Sequence, residues 1–159
     1  MNRNVAALLF CIVALTPFAA VMTAQTPLDP QKAVTLADVE TLLKGKFAAS
    51  VVEPGVVNYE EAGGARVVEV SFFIQSPGKT MSGVKDASLQ NSETVDDVAG
   101  LGDAAIYRPQ GFLVMVEKKS KGGDLQWLEI RVHNVEGPDK AVATKRFAIE
   151  LAKLAVARY

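Results

Sequence analysis

The chain holds 159 residues, 49% of them hydrophobic and 22% charged, with a formal net charge of −1. Those proportions describe a globular protein with room for one domain and exclude a disordered polyampholyte. The near-neutral balance also argues against a nucleic-acid surface, which rests on a concentrated basic face.

The first residues read as transport code. Arg3 and the amino terminus form a positive end, residues 5–15 are an uncharged apolar run, and Thr16-Pro17 breaks any helix. Small residues follow at Ala19, Ala20 and Ala24. Those are the three parts of a secretory signal peptide, expected over residues 1–24 with cleavage after Ala24. An uncleaved anchor is the competing reading, because residues 5–24 are long enough to span a bilayer. Pro17 and the weakly apolar Ala/Thr half count against it. Cys11, the single cysteine, lies inside this leader and follows Phe10, where a lipidation site needs a small residue. Cleavage therefore leaves no thiol for a disulfide, a zinc ligand or a nucleophile. The expected destination is a bacterial periplasm or the cell exterior, with no stable membrane insertion afterwards.

Residues 25–34, with Pro27 and Pro30, form a flexible lead-in, and residues 35–159 a single domain. Thr35 followed by Asp38 predicts a capped helix carrying Leu36, Val39, Leu42 and Leu43 on one face, with Gly45 as terminator. Residues 51–61 predict a strand broken by Pro54-Gly55, and Ala62-Gly63-Gly64 supplies the next turn. Residues 66–75 alternate most cleanly, with Val68, Val70, Phe72 and Ile74 against Glu69, Ser71 and Gln75. Residues 80–92 read as a short helix or a loop with a helical turn, and residues 94–103 as turn-rich. Strands over 104–108, 112–118 and 125–134 continue as an antiparallel meander. Its turns are Pro109-Gln110-Gly111 and a tip rich in Lys118, Lys119 and Lys121, a solvated charge run. Pro138 is placed at the first position of a long helix over 139–158. Ala143, Phe147, Leu151 and Leu154 form one stripe of that helix, with Ala148, Ala152 and Ala155 beside it. The sum is an α+β fold: an antiparallel sheet of about five strands, with an N-terminal helix and a long C-terminal helix packed on one face.

Chemistry is sparse. His133 is the one histidine, and its strand places Trp127, Glu129, Arg131 and His133 on one face, opposite Leu128, Ile130 and Val132. These four are the candidate ligand-binding residues, as a polar patch with an aromatic platform on an open sheet face. The competing reading is a solvated face held by cross-strand pairs. One histidine cannot supply the three or four converging ligands of zinc, and neither metal nor cofactor is expected. Gly100-Leu101-Gly102-Asp103 lacks the strand, helix and Gly-Lys-Ser/Thr ending of a phosphate loop and reads as a tight turn. No G-x-S-x-G elbow is present and no catalytic residue is assigned. Glu69, Glu117 and Glu129 could still meet across strands, so a small hydrolase using carboxylates or His133 stands as the alternative.

The turn Val-x-Gly-Leu-Gly-Asp-Ala-Ala over residues 98–105, followed by a hairpin and an Ala/Leu-rich terminal helix, resembles a pattern in small exported bacterial proteins of unknown function. Several of those are lipoproteins or ligand-sensing extracellular domains. The resemblance covers roughly the second half of the mature chain and implies an exported, non-catalytic domain without transferring any functional residue. The expected role is a binding or accessory module of the cell envelope, with a protein or small-molecule partner and no nucleic acid.

Overall fold

The computed structural model describes residues 29–76, 78–120 and 123–158. The expected leader and the first four residues of the lead-in lie outside the described residues; the rest of the lead-in is ordered, with Ala33 and Val34 in the main core. Two short helices come first, α1 (Pro30–Ala33) and α2 (Leu36–Leu43). Strands β1 (Phe47–Glu53), β2 (Val56–Glu61) and β3 (Val67–Ile74) follow, then α3 (Met81–Gln90). The second half contains β4 (Asp96–Asp97), β5 (Ala104–Arg108), β6 (Leu113–Lys119), β7 (Leu125–His133) and α4 (Lys140–Arg158). The strands form one antiparallel sheet in the order β1-β2-β3-β7-β6-β5-β4.

The α+β class stands, but the sheet has seven strands among the described residues rather than about five. Both extra strands have local causes. Pro54-Gly55 does not interrupt one strand; it turns the chain, with Gly55 at φ 86°, so that β1 folds back on β2. Asp96 and Asp97, within a turn-rich segment, pair with Tyr107 and Ile106 as a two-residue edge.

The first sheet face is the main core. Val57, Tyr59, Val68, Val70, Val114, Val116, Leu128, Ile130 and Val132 line it and are closed to solvent. Alternation puts them all on one side because the side-chain period of a strand is two. Fully burying one such aliphatic side chain contributes ~1.5–3 kcal/mol. Helix α4 closes this core through Thr144, Ala148, Leu151, Ala152 and Ala155. The expected stripe is rotated: the alanines form its centre, and Leu154 turns outward at 37% exposure. Small side chains let the helix axis approach the bulky strands, so Cα–Cβ stubs fill the seam that larger residues would hold open. Pro138 also precedes the helix, whose first intrahelical bond runs from the Ala143 N–H to the Asp139 carbonyl at 2.9 Å.

Helix α2 lies on the same side, with Val39 and Leu43 in the core. Thr35 and Asp38 make the reciprocal capping box, which satisfies amide donors that a helix start otherwise leaves orphaned. Lys44, not Gly45, takes the left-handed terminal conformation, at φ 53°. Gly45 answers to space instead: a Cβ there would lie 2.6 Å from a nitrogen of the Arg66 guanidinium. Helix α3 departs from the one-face arrangement and contributes Met81 to a second, smaller cluster with Ile106, Leu113, Met115 and Trp127. The registers place those strand residues on the side opposite the main core.

Candidate functional site

The second sheet face is divided between α3 and a polar zone. Pairing aligns Asn58 with Glu69 and Glu69 with Arg131 across β2, β3 and β7. The next row aligns Ser71, Glu129 and Met115. Arg131 sits between two carboxylates: one Nη donates to Glu69 Oε1, and Nη2 donates to Glu129 Oε2 at 3.0 Å. Burial pushes the Glu129 carboxyl up from its ordinary range; Arg131 pulls it down, and Glu69 adds a further upward push. The cause is the cost of keeping charge away from water. Ser71 is 2% exposed. Asn58 Oδ1 is enclosed and has no hydrogen-bond partner. Arg108 stands in line with Arg131 through Leu113, pairs with Glu93 and also pulls Glu129 down. The zone thus sets Glu69, Glu93 and Glu129 against Arg108 and Arg131, one carboxylate in excess, while among the described residues an enclosed acceptor, Asn58 Oδ1, and an enclosed donor, Arg108 Nε, both lack a partner.

The four residues expected to form a patch part company here. Glu129 and Arg131 belong to the polar row and are half-buried at its centre. His133 lies at the strand end, paired with Val67 and edge-on to Phe112 at 6.1 Å between ring centroids. Trp127 does not face open water and offers no platform. It is 4% exposed in the cluster under α3, and its Nε1–H points to Glu117 Oε2 at 3.4 Å. The same Glu117 oxygen accepts the Met81 N–H at 2.8 Å, so this carboxylate fastens the start of α3 to the sheet. Of the three glutamates named from sequence, Glu69 and Glu129 meet through Arg131 and Glu117 serves the helix. Asn58 escaped notice because nothing local marks it. Only the β2–β3 register brings it beside Glu69.

The glycine turn is structural. Gly100 and Gly102 have φ of 72° and 63°, and Leu101 between them plugs the main core at 3% exposure. Asp103 closes the turn by accepting the Lys119 N–H at 2.7 Å. Lys118 in turn donates to the Val156 carbonyl of α4 at 3.2 Å, where a cation suits a helix C-terminus.

A cleft of about 430 Å³ opens at the end of the sheet, lined by Glu61, Arg66, Asn134, Glu136 and Phe147 among others. Its strongest charges are already engaged. Arg66 donates Nε to Glu61 Oε2 at 2.8 Å and Nη1 to the Leu43 carbonyl at 2.5 Å, and lies 5.5 Å from the Phe47 ring centre. The Arg66 hydrogen bonds hold the Glu61 carboxyl below its ordinary range. This cation binds the β2–β3 hairpin to the end of α2. Among the described residues no three His, Cys, Asp or Glu side chains converge as a metal site, and no helix is long and apolar enough to cross a membrane. No family model, curated protein or solved structure matches the chain.

Proposed function

We propose that this chain is an exported, non-catalytic binding or accessory module of the cell envelope, whose contact surface is the polar half of the second sheet face. The observation that carries the reading is the carboxylate excess there. Glu69 and Glu129 share Arg131, and Arg108 is taken by Glu93. The Glu69 side chain remains 28% exposed, so a partner supplying N–H donors or positive charge complements the unbalanced carboxylate by docking on this row. That describes a basic protein segment or a small amine-bearing molecule. The charged start, apolar run and small residues of the leader support export, as does the resemblance of residues 98–105 to small exported proteins.

Two measurements test it. Mass spectrometry of the periplasmic fraction should find an N-terminus at or near Gln25; full-length protein retained in membranes contradicts export. Capture from the native envelope by the mature chain should be lost with the double change Glu69→Gln and Glu129→Gln, and unchanged capture contradicts the surface. A second reading, a carboxylate hydrolase, draws on the raised proton affinity of Glu129 beside Glu69, the environment that suits a general acid. The 430 Å³ cleft lies elsewhere, which favours the binding reading. Turnover abolished by Glu129→Gln with an unchanged melting curve would replace it.

A further inference from the structure

The two edges of the sheet are unequal. At one end β4 has two residues, both aspartates, held by Lys145 at 2.7 Å and Lys85 at 2.6 Å. A short, charged and covered edge resists pairing with another strand. At the other end β1 has seven residues, uncharged from Phe47 to Val52, and is exposed at every position after Phe47. Val51 and Val52 are 66% and 60% exposed.

The backbone of β1 has a definite free side. The Ala62 N–H donates to the Lys46 carbonyl, so by antiparallel alternation Lys46, Ala48 and Ser50 turn their backbone groups toward β2. Phe47, Ala49 and Val51 turn theirs outward. The Phe47 N–H is taken by Glu40 Oε1 at 3.2 Å. A register shift between Val51 and Glu53 ends the regular stretch, leaving Ala49 and Val51 as the outward pair.

We propose that β1 is a dimer interface, in which two copies of this chain pair their β1 strands antiparallel about a two-fold axis at Ser50. Ala49 of each copy then exchanges both backbone hydrogen bonds with Val51 of the other. Ala48 and Val52 become neighbours on one face, and Ala49 and Val51 on the other, so each exposed valine is set against a small side chain. The charges at the strand ends select a second copy. Lys44 and Lys46, against one Glu40, lie at the start of β1 and Glu53 at its end. Glu61 is held by Arg66, and Glu60, across from Ala48, stands one strand farther from the seam, so along the seam itself the start is positive and the end negative. Antiparallel pairing brings the positive start of each copy to the negative end of the other. Any parallel pairing would place like ends together.

Sedimentation of the chain as isolated should show a monomer–dimer equilibrium in the micromolar to submillimolar range. Ala49→Pro removes only an outward N–H, which an edge strand tolerates, and Val51→Lys places two like charges at the seam. Each should raise the dimer dissociation constant at least ~10-fold, since the symmetry removes every contact twice. In a Cys11→Ser background, Ser50→Cys should give an intermolecular disulfide. Residues facing each other in a non-hydrogen-bonded pair lie ~4.5 Å apart at Cα, within disulfide reach. Ala48→Cys should not, because the two copies of that position stand ~13 Å apart. A chain that stays monomeric at every concentration overturns the proposal. So does a dimer indifferent to both edge variants, or one that Ala48→Cys cross-links as readily as Ser50→Cys.

Discussion

Asp38 joins the start of α2 to the last described turn of α4, and its removal should cost two separable amounts. Its Oδ2 accepts the Thr35 N–H at 2.8 Å and the Thr35 hydroxyl at 2.7 Å. Arg158 adds a two-pronged pair, Nη1 to Oδ2 at 2.5 Å and Nη2 to Oδ1 at 2.9 Å, and also reaches the Ala33 carbonyl at 2.8 Å. The Arg158 hydrogen bond is the main reason the Asp38 carboxyl is lowered from its ordinary 3.8 to about 2. Taken whole, that shift corresponds to ~2.5 kcal/mol. Arg158 is 36% exposed, however, and screening reduces the pair to about 1 kcal/mol. Losing the capping box adds about 1 kcal/mol. Asp38→Ala should therefore destabilise by ~2 kcal/mol, or ~8 °C in Tm for a domain of this size. Arg158→Met keeps the apolar stem and should cost about half as much.

The assay is urea denaturation of both single variants and the double, read as a cycle. A coupling of about 1 kcal/mol is expected. The sign with pH is fixed. A carboxyl lowered in the folded state stabilises fully above its unfolded value and loses that contribution as pH falls from 3.8 toward about 2. The wild-type chain should show this acid loss, and Arg158→Met should flatten it. Coupling within about 0.3 kcal/mol of zero, with unchanged acid slopes, would refute the lock.

Two further outcomes follow from buried polar groups. Tyr59 is closed to solvent and its hydroxyl donates to the Val34 carbonyl, with burial pushing the phenol up to about 12. Tyr59→Phe strands that carbonyl and should cost ~1–3 kcal/mol in denaturation; a neutral result would mean water replaces the hydroxyl. Glu117→Gln weakens the joint of Met81 and Trp127. Emission from this single tryptophan should shift to the red while the far-ultraviolet spectrum holds, and an unmoved band would show that α3 docks through apolar contacts alone.

The polar row shows where local reading stops. Glu69, Glu129 and Arg131 were each visible as outward-facing strand residues, because alternation is a property of a few consecutive amino acids. Their meeting depended on a register that sets Glu69 opposite Arg131, 62 positions away in the chain. Asn58 carried no signal at all. Trp127 misled because alternation assigns a side chain to a face, while burial depends on what covers that face.

Sequence alone determined the inward rows of β3 and β7, Val68, Val70 and Phe72 against Leu128, Ile130 and Val132. It likewise determined the Thr35–Asp38 cap and the turn at Gly100-Leu101-Gly102, since periodicity, capping and glycine backbone freedom act over a handful of residues. Pro54-Gly55, by contrast, read as a break in one strand and became a turn only through the pairing of β1 with β2. Tertiary structure decided the order of strands, the helix that covers half of the second face, and the edge left open at β1. Those outcomes rest on contacts between segments far apart in the chain, whose free energy no local stretch of sequence contains.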